Sequence, residues 1–384
     1  MLSELEIVNP LDYPGWDALV LSAKNHSFFH SSNWARVLHE SYGYRPLYFT
    51  QIKNGKLNIV VPFMEVKSIF TGKRGVSLPF SDYCEPILSP PSEKGEISVP
   101  PFGKGGDSFS PPLEKGGKGG FDQGFSDKAN IFQEVLDYVI QYGKKTGWKS
   151  LEIRDGNNFS KVTPIASYYY GHTLELSKNT ERIFSNFRDS AKRNIRKADN
   201  EGVKVDISNS LEAIRKFYRL NCATRRKHGL PPQPYYFFKK VYEHIISQNH
   251  GFVALASYNK NDIAGAIYFH FGDRAIYKYG ASDENYQNLR PNNLIMSEAI
   301  QWFSLNGYKS LSFGRTDPDN EGLRRFKKGW GTTESIIKYY KYDVVKGTFA
   351  HKSPQLTETQ KKVFSKLPQF LLRATGSLLY KHIG

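Results

Sequence analysis

Cysteine is almost missing from this 384-residue chain. Only Cys84 and Cys222 occur, and neither sits in a Cys-x-x-Cys or Cys/His arrangement. That excludes a readable zinc site and a disulfide framework, and it predicts two free thiols of a reducing compartment. No run of about 18 apolar residues is present, so no segment is predicted to span a bilayer. The opening MLSELEIVNPLDYPGW is acidic and has no apolar core, so it does not read as a secretory signal. Acidic residues are also in short supply: 37 Asp and Glu face 53 Lys and Arg, a formal charge of +16. A surplus of that size points to an anionic partner, whether a phosphate-rich ligand, RNA or an anionic lipid surface. These features together predict a cytoplasmic protein.

What the chain does contain is enough for two packed units: 39% hydrophobic and 14% aromatic residues, over a length that exceeds one ordinary core. Residues 89–127 break the composition. Pro-Pro recurs at Pro90-Pro91, Pro100-Pro101 and Pro111-Pro112, each followed by Lys-Gly. The segment cannot bury enough apolar surface to offset its ordering entropy and reads as a disordered insertion.

On either side of it the pattern repeats. PLYFTQIKNGKLNIVVPFMEV and GFVALASYNKNDIAGAIYFHF both read as strand, turn, strand. A helix is expected near Asn130 to Lys145 and again near Asn292 to Leu305. Each ends at a Gly C-cap signal, Gly147 or Gly307, and leads into TGWKSLEIRDG or NGYKSLSFGR. One unit of hairpin, helix and strand therefore occurs twice. The expected organisation is a first domain over 1–165 carrying the insertion, a linker near 156–180, a second domain over 166–350 carrying the site, and a basic amphipathic tail over 351–384. The tail either packs on the second domain or lies on a membrane surface.

Several stretches carry a family resemblance: SNFRDSAKRNIRKADNEGVKV, FYRLNCATRRKHGLPPQPYYFFKKV, IYKYGASDENYQNLRPNNLIMSEAIQWF and FGRTDPDNEGLRRFKKGW, with FFHSSNWARVLHESYGYRP in the first half. In this order they resemble the Fem-type peptidoglycan-bridge transferases. The double α/β unit likewise looks like two GCN5-related N-acetyltransferase (GNAT) folds in tandem. The resemblance implies a mixed α/β fold and transfer of an acyl or aminoacyl group to an amine of a cell-envelope precursor. It implies no tightly bound cofactor; the donor is acetyl-CoA or aminoacyl-tRNA. The turn NLRPNNL lacks the glycines with which ordinary GNAT enzymes hold the coenzyme A pyrophosphate, which suits the tRNA donor.

Candidate residues follow. Arg188, Lys192 and Arg196 form a basic row beside an apolar stripe of Phe184, Phe187, Ala191, Ile195 and Ala198. This row reads either as a solvated face or as a landing strip for diphosphate, tRNA or lipid head groups. Arg225, Arg226 and Lys227 close a helix before His228-Gly229; they either complement the helix dipole or grip an anionic, diphosphate-bearing acceptor. The resemblance gives Lys227 that diphosphate role and places Lys327 of FKKGW near the reacting centre, where a cation stabilises an oxyanion. Tyr279, Asn292 and Arg315 are expected to line the cleft from strand and helix ends. Asp283 and Glu284 are the acidic candidates. No metal site is expected. A non-catalytic nucleic-acid-binding or scaffold protein is the alternative.

Overall fold

The computed structural model describes residues 5–88, 120–155, 163–351 and 357–383. The first half of the chain forms β1 (Glu6–Val8), α1 (Trp16–Leu21), α2 (Ser32–Tyr42), β2 (Arg45–Lys53), β3 (Lys56–Ser68), β4 (Gly72–Val76), β5 (Ile87–Leu88), α3 (Gly120–Thr146) and β6 (Ser150–Asp155). The second half forms β7 (Ser167–Glu175), α4 (Thr180–Ser185), α5 (Asp189–Asn200), β8 (Lys204–Ser208), α6 (Leu211–Lys227), α7 (Tyr235–Val241), β9 (Gly251–Tyr258), β10 (Asn261–Phe271), β11 (Arg274–Ser282), α8 (Pro291–Leu305), β12 (Ser310–Thr316), α9 (Glu321–Lys328), β13 (Thr333–Asp343) and β14 (Thr348–Phe349). The tail adds α10 (Glu358–Lys366) and α11 (Gln369–Ile383). Residues 89–119 of the Pro/Gly/Lys-rich segment lie outside the described residues. Its expected end at 127 is corrected, because the backbone is already helical from Gly120.

The duplication is visible in the hydrogen bonding. Both two-residue hairpin turns use left-handed backbone, Asn54-Gly55 (φ 51° and 70°) and Asn259-Lys260 (φ 48° and 66°), the geometry that matches the twist of the flanking strands. In both halves the third strand of the meander pairs in parallel with the strand after the long helix, at the same register. Arg74, Gly75 and Val76 face Ser150, Leu151 and Glu152, while Arg274, Ala275 and Ile276 face Ser310, Leu311 and Ser312. Gly147 (φ 78°) and Gly307 (φ 82°) take the left-handed position that ends each helix.

The halves interlock through their last strands. Among the described residues, 14 strands form one sheet in the order β1-β2-β3-β4-β6-β13-β7-β12-β11-β10-β9-β8, with β5 and β14 at its margins. β7 follows β6 in the chain yet pairs with β12, and β13 follows β12 yet pairs with β6. β7 and β13 also pair with each other, from Thr333 opposite Thr173 to Tyr339 opposite Ser167. The linker expected near 156–180 is therefore corrected over 167–175, where the sheet needs a central strand. A continuous aromatic core seals the seam. Phe28 lies 4.7 Å from Phe269, and Trp34 lies 6.1 Å from Phe237, ring centre to ring centre. The tail packs on both halves, α11 against α2, β3 and α6, and α10 against α6.

Candidate active site

The parallel pairs open where their registers end, and the chain fills the opening in the second half with a loop from the first. β11 pairs with β12 only over Arg274–Ile276. Just beyond, the pairing of β10 with β11 slips between Ile267 and Tyr268, so that Lys278 is an extra, bulged residue. Opposite it, the pairing of β12 with β7 slips between Ser312 and Arg315, and Gly314 adopts φ +66°. Such bulges re-aim side chains and often sit beside active sites. Between these bulges lies Asp82.

The loop carrying Asp82 is held under strain, with Leu78 (φ 42°) and Phe80 (φ 61°) both in the left-handed region. Arg154, on β6 of the first half, braces it by donating from Nη1 to the carbonyls of Leu78 and Ser81, each at 3.0 Å. The Tyr339 hydroxyl donates to the Asp82 carbonyl at 2.8 Å. Asp82 Oδ2 then accepts from Lys278 Nζ at 2.8 Å, and the same ammonium donates to the Phe80 carbonyl at 2.6 Å.

Positive charge dominates this pocket. Lys278 lies over the rings of Tyr279 (5.2 Å) and Phe29 (5.3 Å). Arg315 stacks 4.3 Å from the centre of Tyr169 and donates to the Tyr339 hydroxyl at 2.7 Å. Lys327 is buried on α9 and donates to the carbonyls of Gly314 (3.2 Å) and Arg315 (3.0 Å). Burial pulls its pKa down to about 8, with Lys278 and Arg315 adding to the fall and Asp82 opposing it. Asp82 is itself buried, which favours its neutral form, but Lys278, Arg315 and Lys327 outweigh that and hold its carboxyl below the usual range. Lys278 is lowered by burial against the pull of Asp82. Three cations thus surround one carboxylate in a largely dry setting, where such charges act strongly on a reacting group. The Tyr279 hydroxyl is buried nearby without a hydrogen-bond partner of good geometry.

A second ionic cluster adjoins it. Glu334 accepts from Arg324 at Nε (2.7 Å) and Nη2 (2.6 Å), lies 3.1 Å from Lys328, and meets His172 Nε2 at 3.0 Å. The hydrogen bonds from Arg324 lead in holding the Glu334 carboxyl down to about 2.

Of the residues singled out in the sequence, the structure brings Lys327, Arg315 and Tyr279 into this cluster. It places the others elsewhere. Arg225 donates to the Tyr380 hydroxyl at 2.9 Å and to the Pro231 carbonyl at 3.3 Å, beneath the tail. Lys227 pairs with Glu284 at 2.9 Å, Arg226 is exposed, and Asn292 is exposed in the first turn of α8. Asp283 caps the turn Glu284–Leu289 by accepting from the Asn285 amide. The apolar stripe splits, because Phe184 belongs to α4, while Arg188 caps α5 and Lys192 and Arg196 lie within it. Two expectations are corrected. The acidic member of the cluster is Asp82, not Asp283 or Glu284, and the cluster draws on both halves rather than the second alone. Asp82, Lys278 and Arg154 were missed because their partners lie far off in sequence. The one local signal was Lys278 within the strand IYKYG, a charge between apolar residues.

The metal question has a plain answer at one place. Glu40, Glu243 and His244 converge, but Lys240 Nζ already bridges the two carboxylates at 2.8 and 2.7 Å.

Residues 185–328 match the family described as Acetyltransferase (GNAT) domain. The fold of the whole chain resembles that of FemX, with a TM-score of 0.60 at 14% identity, covering 87% of this chain and 96% of that one. It also resembles a tandem GNAT protein from the clavulanic acid biosynthesis pathway, with a TM-score of 0.50 at 7% identity, covering 92% of this chain and 100% of that one. The fold is therefore a tandem GNAT fold. Among curated proteins, the Lipid II:glycine glycyltransferase of Staphylococcus saprophyticus is 34% identical over 119 residues, covering 27% of this chain and 28% of that protein. The same-named protein of Staphylococcus haemolyticus is 32% identical over 116 residues, covering 27% of each chain. The chain thus spans little more than a quarter of the length of the curated relatives it matches. Residues 185–328 thus match a GNAT acetyltransferase domain, and the fold and these partial relatives are similar to those of Fem-type proteins.

Proposed function

We propose that the protein is an N-acyltransferase that moves an aminoacyl or acyl group onto an amine of a cell-envelope precursor, with its chemistry at the Asp82–Lys278–Arg315–Lys327 cluster. The observation that supports this most is the buried cluster itself. One carboxylate held ionised and three cations meet where two bulged strands part, beside the buried Tyr279 hydroxyl.

In the reaction, the amine nitrogen of the acceptor attacks the donor carbonyl carbon. The new C–N bond forms as the C–O bond of an aminoacyl ester, or the C–S bond of a thioester, breaks. The attacking amine gives up one proton, for which Asp82 is the ionised carboxylate of the cluster, and the leaving oxygen or sulfur takes one up. Negative charge grows on the carbonyl oxygen, and Lys327, whose ammonium retains a proton beyond its two backbone bonds, is positioned to stabilise it. Arg315 and Lys278 favour an acidic substrate in the same place.

The names of the curated relatives favour a glycyl donor and a lipid-linked acceptor, and we extend both to this chain. An aminoacyl-tRNA is the donor that fits that chemistry. Arg225, Arg226, Lys227 and Asn292 remain candidate contacts for the diphosphate-bearing acceptor on the second half, outside the cluster. The reading is tested by supplying the purified chain with labelled glycyl-tRNA or labelled acetyl-CoA and a lipid-linked or nucleotide-linked envelope precursor. Label appearing in the precursor from glycyl-tRNA, and its loss in Lys327→Met, is the expected result. Label from acetyl-CoA alone would replace the donor, and label from neither would overturn the reading.

A further inference from the structure

Helix α11 is apolar on two opposite faces. Its inner stripe, Leu372, Gly376 and Tyr380, is buried. That docking is close enough that a Cβ on Gly376 would lie 2.0 Å from the Pro232 carbonyl oxygen. Its outer stripe, at positions 370, 371, 374 and 378, falls on the opposite side of the helix by the 100° step. There Phe370 is 69% exposed, Leu378 66% and Leu371 43%. A helix apolar on its outer face as well as its inner one is expected to be covered on both.

The patch continues beyond the helix. The tip of the β3–β4 hairpin presents Ile69 and Phe70, 82% and 68% exposed. Phe70 packs edge-on against His382 at 5.0 Å, and Arg74 donates from Nη2 to the His382 carbonyl at 2.6 Å, so hairpin tip and helix end form one surface. The cations around it are exposed too: Lys67 at the hairpin, Lys366 before the helix, and Lys381 on the outer face. A two-part apolar edge ringed by lysines, in a chain of net charge +16, matches an anionic bilayer in both apolar burial and charge.

We infer that the outer face of α11 and the Ile69–Phe70 tip together seat the protein on an anionic lipid membrane. The side chains enter the acyl boundary while the lysines meet the head groups. The use of this surface, to bring the chain to a lipid-linked acceptor, rests on the function proposed above; the binding itself does not.

The test is co-sedimentation of the full chain with vesicles of phosphatidylcholine alone or of phosphatidylcholine with phosphatidylglycerol. Binding to the anionic vesicles only, weakened by salt, is the expected result. Phe370→Ser with Leu378→Ser, and separately Ile69→Ser with Phe70→Ser, are each expected to lower partitioning on the order of ten-fold. Val345→Ser, at another exposed apolar position, is expected to leave it unchanged. Circular dichroism and melting show whether the variants fold. Wild-type protein that stays in the supernatant, or folded variants that bind like wild type, would overturn the inference. So would a lipid-free dimer abolished by the same variants, which would mean that a second copy covers the patch. Transfer to a water-soluble precursor should be equal in wild type and variants, so a chain that binds vesicles yet transfers nothing sinks the proposed function and leaves this inference standing.

Discussion

Lys278 and Asp82 form an ion pair at 2.8 Å, although one is a bulged residue of the second half and the other tips a strained loop of the first. Each is largely shielded from solvent, with side chains 6% and 13% exposed, so each leaves a costly charge if the other is removed. Asp82→Ala is expected to destabilise the protein by about 3–5 kcal/mol, more than an ordinary surface change. Asp82→Leu combined with Lys278→Met should recover much of that loss while remaining inactive. Urea denaturation of the single and double variants measures the coupling; additive losses would show that the pair does not hold the halves together.

A change at Lys327 is expected to separate catalysis from folding. Lys327→Met keeps the length and apolar stem but removes the charge and two hydrogen bonds to backbone carbonyls. Because burial already opposes that charge, the expected stability change is within about 1 kcal/mol. Transfer should fall by about 10²–10³-fold. A folded variant with wild-type turnover would remove Lys327 from the chemistry.

The lowered pKa of Lys327 also gives a pH signature. Protonated below about 8, the ammonium is available at neutral pH, and transfer should decline as pH rises through 8. The residual activity of Lys327→Met should lack that alkaline limb. The linkage to folding has the opposite slope. Between about 8 and the ordinary lysine value near 10.4, the unfolded chain binds the proton that the folded chain has released, so this group makes the protein more stable as pH rises. Opposite trends in turnover and melting temperature over that window are the expected observation.

Glu334 gives the acid-side counterpart. Its carboxyl is held down to about 2, first by the hydrogen bonds from Arg324. A depressed carboxyl contributes stability above its unfolded pKa, and that contribution is lost as pH falls from about 4.5 towards 2. Glu334 is partly open to solvent, so screening reduces its worth to about 1–2 kcal/mol. Glu334→Gln should therefore melt lower than wild type at pH 7 and converge with it near pH 2. Parallel curves at all pH values would show that the cluster does not carry the effect.

The sequence made the repeated unit legible because the repeat is local. Asn54-Gly55, the Gly147 and Gly307 helix ends and the Lys-Ser-Leu strands are short-range signals, and each marks an element that the structure contains. The exchange of β7 and β13 was not legible, since which strand a segment pairs with depends on residues far away. The same reason hid the cluster. Lys327 and Arg315 stand in a motif, but Asp82 gains its meaning only from Lys278 and from Arg154, 72 positions on in the sequence. Arg225 was legible as a cation at a helix end, but its contact was not: it donates to the Tyr380 hydroxyl of the distant tail.

The two copies of the unit also differ in a way that can be tested. Trp148 is wedged in the first half between Gly75 and Gly143; a Cβ added to Gly75 would lie 2.1 Å from its ring, and one added to Gly143 2.9 Å. It cannot easily give way, because it is buried and its Nε1 donates to Glu65 at 2.9 Å. At the equivalent places the second half has the smaller Tyr308 with Ala275 and Phe303, and Phe303 packs 5.0 Å from Tyr308, ring centre to ring centre. The first copy accommodates a larger ring by giving up two side chains. Gly75→Ala should therefore cost about 1–3 kcal/mol, the range for overpacking a filled site. Adding Trp148→Tyr, which restores the pairing of the second copy, should return part of it. Chemical denaturation of Gly75→Ala, Trp148→Tyr and the double variant measures this directly. A double variant no more stable than the sum of the single losses would show that ring size and glycine are not coupled here.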